Sequence, residues 1–169
     1  MFQIILKNDI QLGKSETVGD TSQVLSRFLG AMTYRCFSHS DVAELAKYAD
    51  VPVLNALSDK HHPCQSAADL MTVLENFKDL DDLTVAWVGD GNNVCQSLME
   101  ISNICGFKMN VVSPKAYAPK QVPNNVTVVH DFASVIKTTN VIYTDVWVSM
   151  GDEGQEDERM AAFNSFQIS

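Results

Sequence analysis

The 169-residue sequence predicts an α/β fold of parallel sheets joined by helical crossovers. Three observations carry that expectation. Strand-like and helix-like segments alternate along the chain, the order that βαβ units require. The stretch Leu83-Thr84-Val85-Ala86-Trp87-Val88 is apolar without alternation, as in a strand covered on both faces. Proline and glycine punctuate the alternation where crossovers turn, with Pro63 at a helix start and Gly106 at a helix end.

Taken in order, residues 17–29 read as a helix with Val18, Leu25, Phe28 and Leu29 on one face. Residues 31–37 read as a strand. Ser40 is a suitable N-cap for a short helix ending near Tyr48, with Asp41 and Glu44 in its first turn. Residues 51–54 read as a strand with Pro52 at its start. Pro63 opens a longer helix reaching about Phe77, with Ala67, Leu70, Met71, Leu74 and Phe77 as its apolar face. Residues 78–82 are a polar break and the best domain boundary. After the 83–88 strand come the turn Gly89-Asp90-Gly91-Asn92-Asn93, a helix over 94–105 and a strand over 108–112. Residues 113–125 hold three prolines and read as a loop. Strand, helix and strand follow at 126–129, 132–137 and 141–144, then a last helix at 155–163.

Composition excludes several classes. A net charge of −9 without basic patches argues against nucleic acid. No apolar run approaches the ~20 residues of a membrane span. Signal-peptide and Arg-rich transit patterns are both lacking at the start, so a cytoplasmic protein is expected. The four cysteines, Cys36, Cys64, Cys95 and Cys105, form no CxxC pair or metal-like group with histidine, which fits reduced, packed thiols and no metal. The acids Asp152, Glu153, Glu156, Asp157 and Glu158 suit a solvated helix start.

Four segments carry chemistry. His62-Pro63-Cys64-Gln65 sets an imidazole, a carboxamide and a helix N-terminus within a few residues, a junction suited to an anionic or carbonyl oxygen. Tyr34-Arg35, the turn 89–93, and Asp145-Val146-Trp147-Val148-Ser149-Met150-Gly151 suit the same kind of site. A dinucleotide site is the rival for the glycine turn. Its fingerprint fails twice: Val94 stands at the third glycine position, and no acid ends the strand before Ser113.

Together HPCQ, GDGNN and DVWVSMG, in this order, resemble the ornithine carbamoyltransferases of the wider transcarbamylase family, from about Lys7 to Gln167. The last two motifs point to the ornithine-using branch rather than the aspartate-using one. The resemblance implies parts of two transcarbamylase-type α/β domains joined by a helix. Residues 1–65 are then part of a carbamoyl-phosphate domain, 66–78 the connecting helix and 79–169 part of an ornithine domain. Two family features are lacking, a Ser-Thr-Arg-Thr phosphate loop and a late His-Cys-Leu-Pro motif. The chain is therefore expected to be the middle of such an enzyme, inactive or nearly so alone. A binding or assembly remnant is the alternative.

The reaction implied is ornithine plus carbamoyl phosphate to citrulline plus phosphate. It needs a cationic cradle, donors for a developing oxyanion and an aimed amine, and no cofactor. By resemblance Arg35 and His62 are catalytic and bind carbamoyl phosphate together with Gln65. Asn93, Asp145, Ser149 and Met150 bind ornithine, and family members are usually homotrimers. Each position also has a plainer reading. Arg35 suits a surface arginine, His62 a helix cap and Met150 a core residue, while Asp90 and Asn92 suit turn-shaping. Glu16 and Asp20, which resemble acids near the family's subunit contact, read as structural. The expectation joining these residues is spatial: the edge from His62 onward faces Asp145 across one crevice.

Overall fold

The computed structural model describes residues 15–149 and 154–168. The chain divides into two units, Met1–Cys64 and Gln65–Ser169.

The first unit holds α1 (Val18–Ser26), β1 (Met32–Arg35), α2 (His39–Tyr48) and β2 (Val53–Leu57). β1 and β2 pair in parallel, from Met32 opposite Val53 to Arg35 opposite Leu57, with a slip in register between Tyr34 and Arg35. Thr17 starts α1 by accepting the Asp20 N–H at 3.0 Å, while its hydroxyl donates back to the Asp20 carboxylate at 2.8 Å. The buried face of α1 is Gly19, Thr21 and Ser22, not the apolar set the periodicity suggested; Phe28 lies past the helix end and is 80% exposed. Close helix contact explains this. A Cβ on Gly19 would stand 2.9 Å from the Tyr48 ring of α2, so only small residues fit there. The buried Ser22 hydroxyl donates to the Leu45 carbonyl at 2.6 Å, which satisfies its polar group. α2 starts two residues earlier than expected, with Ser38 at the N-cap position making no side-chain cap bond and Ser40 inside its first turn.

The unit boundary falls inside α3 (Pro63–Asn76). The second unit continues with β3 (Thr84–Val88), α4 (Asn93–Cys105), β4 (Lys108–Val112), β5 (Val126–Val129), β6 (Val141–Thr144) and α5 (Glu156–Phe163). Its sheet is all parallel in the order β5-β4-β3-β6. β3 is buried on both faces, as its unalternating sequence requires. Leu83, Val85, Trp87, Leu98, Met99, Phe107, Met109 and Val111 make the core around it. α3 contributes Leu70 and Val73 to that core, with Phe77 just past its end, so its packed stripe is rotated from the expected one, leaving Met71 62% and Leu74 47% exposed. Gly106 ends α4 at φ 85°, the left-handed conformation glycine adopts without strain.

Residues 132–137 form two single 3-10 turns, Phe132–Ser134 and Ile136–Thr138, instead of the expected helix. The Val135 carbonyl accepts the Thr138 N–H at 3.1 Å, the i+3 bond of a 3-10 turn, and the Thr138 and Thr139 hydroxyls at 3.0 and 2.9 Å compete for it against the i+4 bond of an α-turn. Among the described residues no helix is long and apolar enough to cross a membrane.

Candidate functional site

Sheet order sets a switch point in the second unit. From β3 the chain passes through α4 to β4 and β5 on one side, then returns to lay β6 on the other side of β3. The segments following β3 and β6 therefore start side by side and diverge. Ligands of open α/β sheets bind at such a switch point, beyond the carboxyl ends of the strands.

Asn92 joins the two segments. Its Oδ1 accepts the Val94 and Cys95 N–H groups at 3.1 Å each, capping α4, and its Nδ2 donates to Asp145 Oδ2 at 2.9 Å. The other Asp145 oxygen accepts the Val146 N–H at 2.8 Å. A carboxylate so held is fixed in direction. Asn93, half-buried, is the first residue of α4, at the positive end of the helix. Ser149 is half-buried a few residues beyond Asp145. Met150, the fourth expected ornithine ligand, lies outside the described residues.

A second tie holds the turn. Asp90 and Arg159 form an ion pair at 2.6 Å, and both side chains are largely buried. The same guanidinium nitrogen donates to the Trp147 carbonyl at 3.2 Å, and the group lies 5.0 Å above the Tyr117 ring. α5 is thus fastened to the glycine turn and to the stretch between Asp145 and Ser149. The Trp87 indole donates to the Asp90 carbonyl at 2.9 Å. Gly91 is required by crowding, since a Cβ there would meet the Pro119 nitrogen at 2.6 Å. Burial pushes the Cys95 thiol well up, and the charges of Asp90 and Asp145 add to it, so this thiol is inert. His130 Nδ1 bonds the Ser113 carbonyl at 2.7 Å.

Gln65 stands in α3, where its Nε2 donates to Asp69 Oδ1 at 2.9 Å.

In the first unit, Arg35 ends β1 with an exposed side chain. Beside it the Tyr34 phenol is pushed up, by burial first and then by Cys36 and Asp41, and stays neutral. The loop before His62 is ordered by the fully buried Ser58. Its N–H donates to the His61 carbonyl at 2.8 Å, and its hydroxyl meets the His61 N–H at 3.2 Å and His39 Nδ1 at 2.9 Å. The His39 and His61 rings lie 4.8 Å apart. His61 belongs to this knot, and half-buried His62 follows it directly into Pro63.

Asn93 and Asp145, the two ornithine-site candidates after β3 and β6, both stand at the switch point. Asn92 and Asp90 shape the turn, and Arg159 has no motif of its own. Asp and Asn after a glycine turn were a visible cue for a cap; nothing local marked a partner 69 positions away. Among the described residues, no group of three or more His, Cys, Asp or Glu could hold a metal ion.

Comparison with known proteins adds an independent line. The model of the aspartate/ornithine carbamoyltransferase carbamoyl-P binding domain matches residues 2–75, and that of the Asp/Orn binding domain matches residues 81–169. An ornithine carbamoyltransferase of Methanoculleus marisnigri is 45% identical over 168 residues, covering 95% of this chain and 54% of that protein. The enzyme of that name from Methanosarcina acetivorans is also 45% identical, with 56% of its length covered. Among solved structures, ornithine carbamoyltransferase from Pyrococcus furiosus superimposes with a TM-score of 0.88 at 42% identity, over 95% of this chain and 55% of the other. The anabolic enzyme from Campylobacter jejuni gives 0.84 at 31% identity, over 96% and 58%. The chain therefore spans about half the length of the relatives it matches.

Proposed function

We propose, because the chain belongs to the aspartate/ornithine carbamoyltransferase family, that it carries the chemistry of the ornithine-using branch. In that reaction the amine of ornithine attacks the carbonyl carbon of carbamoyl phosphate. A C–N bond forms, the tetrahedral intermediate collapses, the C–O bond to phosphate breaks, and the products are citrulline and phosphate. Residues 1–65 serve carbamoyl phosphate and residues 79–169 serve ornithine, with 66–78 connecting them. Arg35 grips phosphate and carbonyl oxygens with its planar fork. His62 donates to the carbonyl oxygen as charge develops there. Gln65 takes the carbamoyl amide. Asp145 pairs with the ornithine ammonium, Asn93 meets its α-carboxylate at the α4 N-terminus, and Ser149 and Met150 contribute partly through backbone groups.

The single observation supporting this most is the Asn92–Asp145 pair. It aims a carboxylate next to a helix N-terminus, one feature for each charged end of an amino acid. The reading extends to a cytoplasmic homotrimer in arginine and citrulline metabolism, without a cofactor.

Isothermal titration with a bisubstrate analogue joining a phosphonate to ornithine tests it, beside a citrulline assay. The parent chain is expected to release heat, and Asp145→Ala and His62→Ala to lose most of it. A silent parent overturns the reading. Heat without citrulline supports retained binding and overturns turnover by this chain.

A further inference from the structure

The Gln65 carboxamide has two ends of opposite chemistry, and the end facing a ligand decides what it recognises. Asp69 stands one helical turn beyond Gln65 on α3 and accepts from its Nε2 at 2.9 Å. A carboxylate only accepts, so the end turned toward it is the amide nitrogen; the reverse flip would set oxygen against oxygen. Such Gln–Asp pairs are ordinary on helix surfaces. This one differs because Asp69 is half-buried and a second element closes on it.

That element is β6, from which the Tyr143 side chain comes up against Asp69 and Gln65. This contact is the looser of the two, since Asp69 Oδ2 is buried without a full hydrogen bond among the described residues. Tyr143 is itself fixed by stacking on Trp87, with centroids 4.9 Å apart and planes at 29°. Gln65 thus turns its amide nitrogen into the cluster. Its Oε1 takes no part and is the atom left to meet a ligand.

We propose that Asp69 and Tyr143 are positioning residues that lock the Gln65 carboxamide so that Oε1 is presented as an acceptor for the N–H2 group of a carbamoyl ligand. The identity of the ligand rests on the carbamoyl-transfer reading above; the lock adds what sets selectivity within it. An oxygen held this way accepts from an amide nitrogen and gains nothing from a methyl group. The cluster therefore selects carbamoyl over acetyl groups on the same phosphate.

Phosphonoacetamide and phosphonoacetone are the probes. Both carry a phosphonate and a carbonyl, and only the first has N–H2 where the second has methyl. Binding to the full chain is followed by calorimetry, and the Gln65 side-chain amide by 15N NMR. The parent is expected to prefer phosphonoacetamide about tenfold, the worth of one neutral hydrogen bond. Its Gln65 amide protons should lie downfield of those of free glutamine. Asp69→Ala should remove most of the preference and return the amide resonances to free values, with affinity for inorganic phosphate unchanged. Tyr143→Phe keeps the ring on Trp87 and should move both readouts the same way by less. A preference that survives Asp69→Ala, or amide resonances unmoved by it, overturns the lock. If neither probe nor phosphate binds the parent, the carbamoyl-transfer reading fails, and the amide spectra alone decide the lock.

Discussion

Asp145 and Arg35 both stand at the carboxyl end of a parallel strand, yet the chain treats them differently. Asp145 is held by Asn92 and by the Val146 N–H, and the turn beside it is fastened through Asp90 and Arg159. Arg35 is an exposed side chain. In its unit the order lies instead in the loop before His62, tied at Ser58. The difference concerns where ordering happens. A carboxylate already fixed loses little freedom on meeting an ammonium. An exposed arginine gives up as much as ~2 kcal/mol of rotamer freedom when an anion settles it. On the proposed assignment of these two residues, one side of the chemistry would be preformed and the other completed by its ligand.

Breaking the preformed side should have the largest effect. Arg159→Met strands the Asp90 carboxylate in a largely buried place and should lower stability by about 3–4 kcal/mol in urea denaturation. Adding Asp90→Leu should recover much of that, because the unpaired charge is then gone. Arg35→Met, by contrast, should change stability by less than about 0.5 kcal/mol while abolishing heat from the bisubstrate analogue. Equal destabilisation by the two arginine changes would end the contrast.

Asn92→Ala comes next. It removes the cap of α4 and the partner of Asp145 together, and should cost about 1–2 kcal/mol and weaken ornithine binding. Asn92→Asp sharpens the point: it keeps the cap but sets a second carboxylate against Asp145, so thermal stability should largely return while ornithine binding should not. In the first unit, Thr17→Ala should cost about 1 kcal/mol with ligand binding unchanged.

The smallest effect is expected in alkali. The Tyr143 hydroxyl is raised from its ordinary value of 10.0, by burial first and then by Asp69. The folded state therefore favours the protonated phenol. The stability it contributes is complete below pH 10 and is lost as pH rises beyond it. Cys95 acts with the same sign from pH 9. Denaturation of Tyr143→Phe against the parent should show a shallower alkaline decline.

Local signals were legible in the sequence where one residue type answers one local demand. The apolar run of β3, the glycine turn and the Gly106 cap each did so. The face of α1 was not legible. Periodicity finds an apolar stripe, whereas a helix pressed against a tyrosine ring buries Gly19, Thr21 and Ser22. The stripe of α3 was off by part of a turn, because its core contacts are set by a sheet that comes later in the chain. Of the candidate site, Asp145 and Asn93 were visible as motif residues. Asp90 with Arg159 was not, since a buried pair made across the fold leaves no period to count. Asp69 was equally hidden, an acid in mid-helix whose partner depends on where β6 falls.

Both tryptophans of the chain, Trp87 and Trp147, lie in the second unit, and Trp87 is fully buried with its indole bonded to the Asp90 carbonyl. Intrinsic fluorescence excited at the indole band is therefore a signal from one unit alone. Its emission should be blue-shifted and should respond when an amino acid settles beside the Asp90 backbone. A phosphate settling on Arg35 alone should leave the colour of that light as it was.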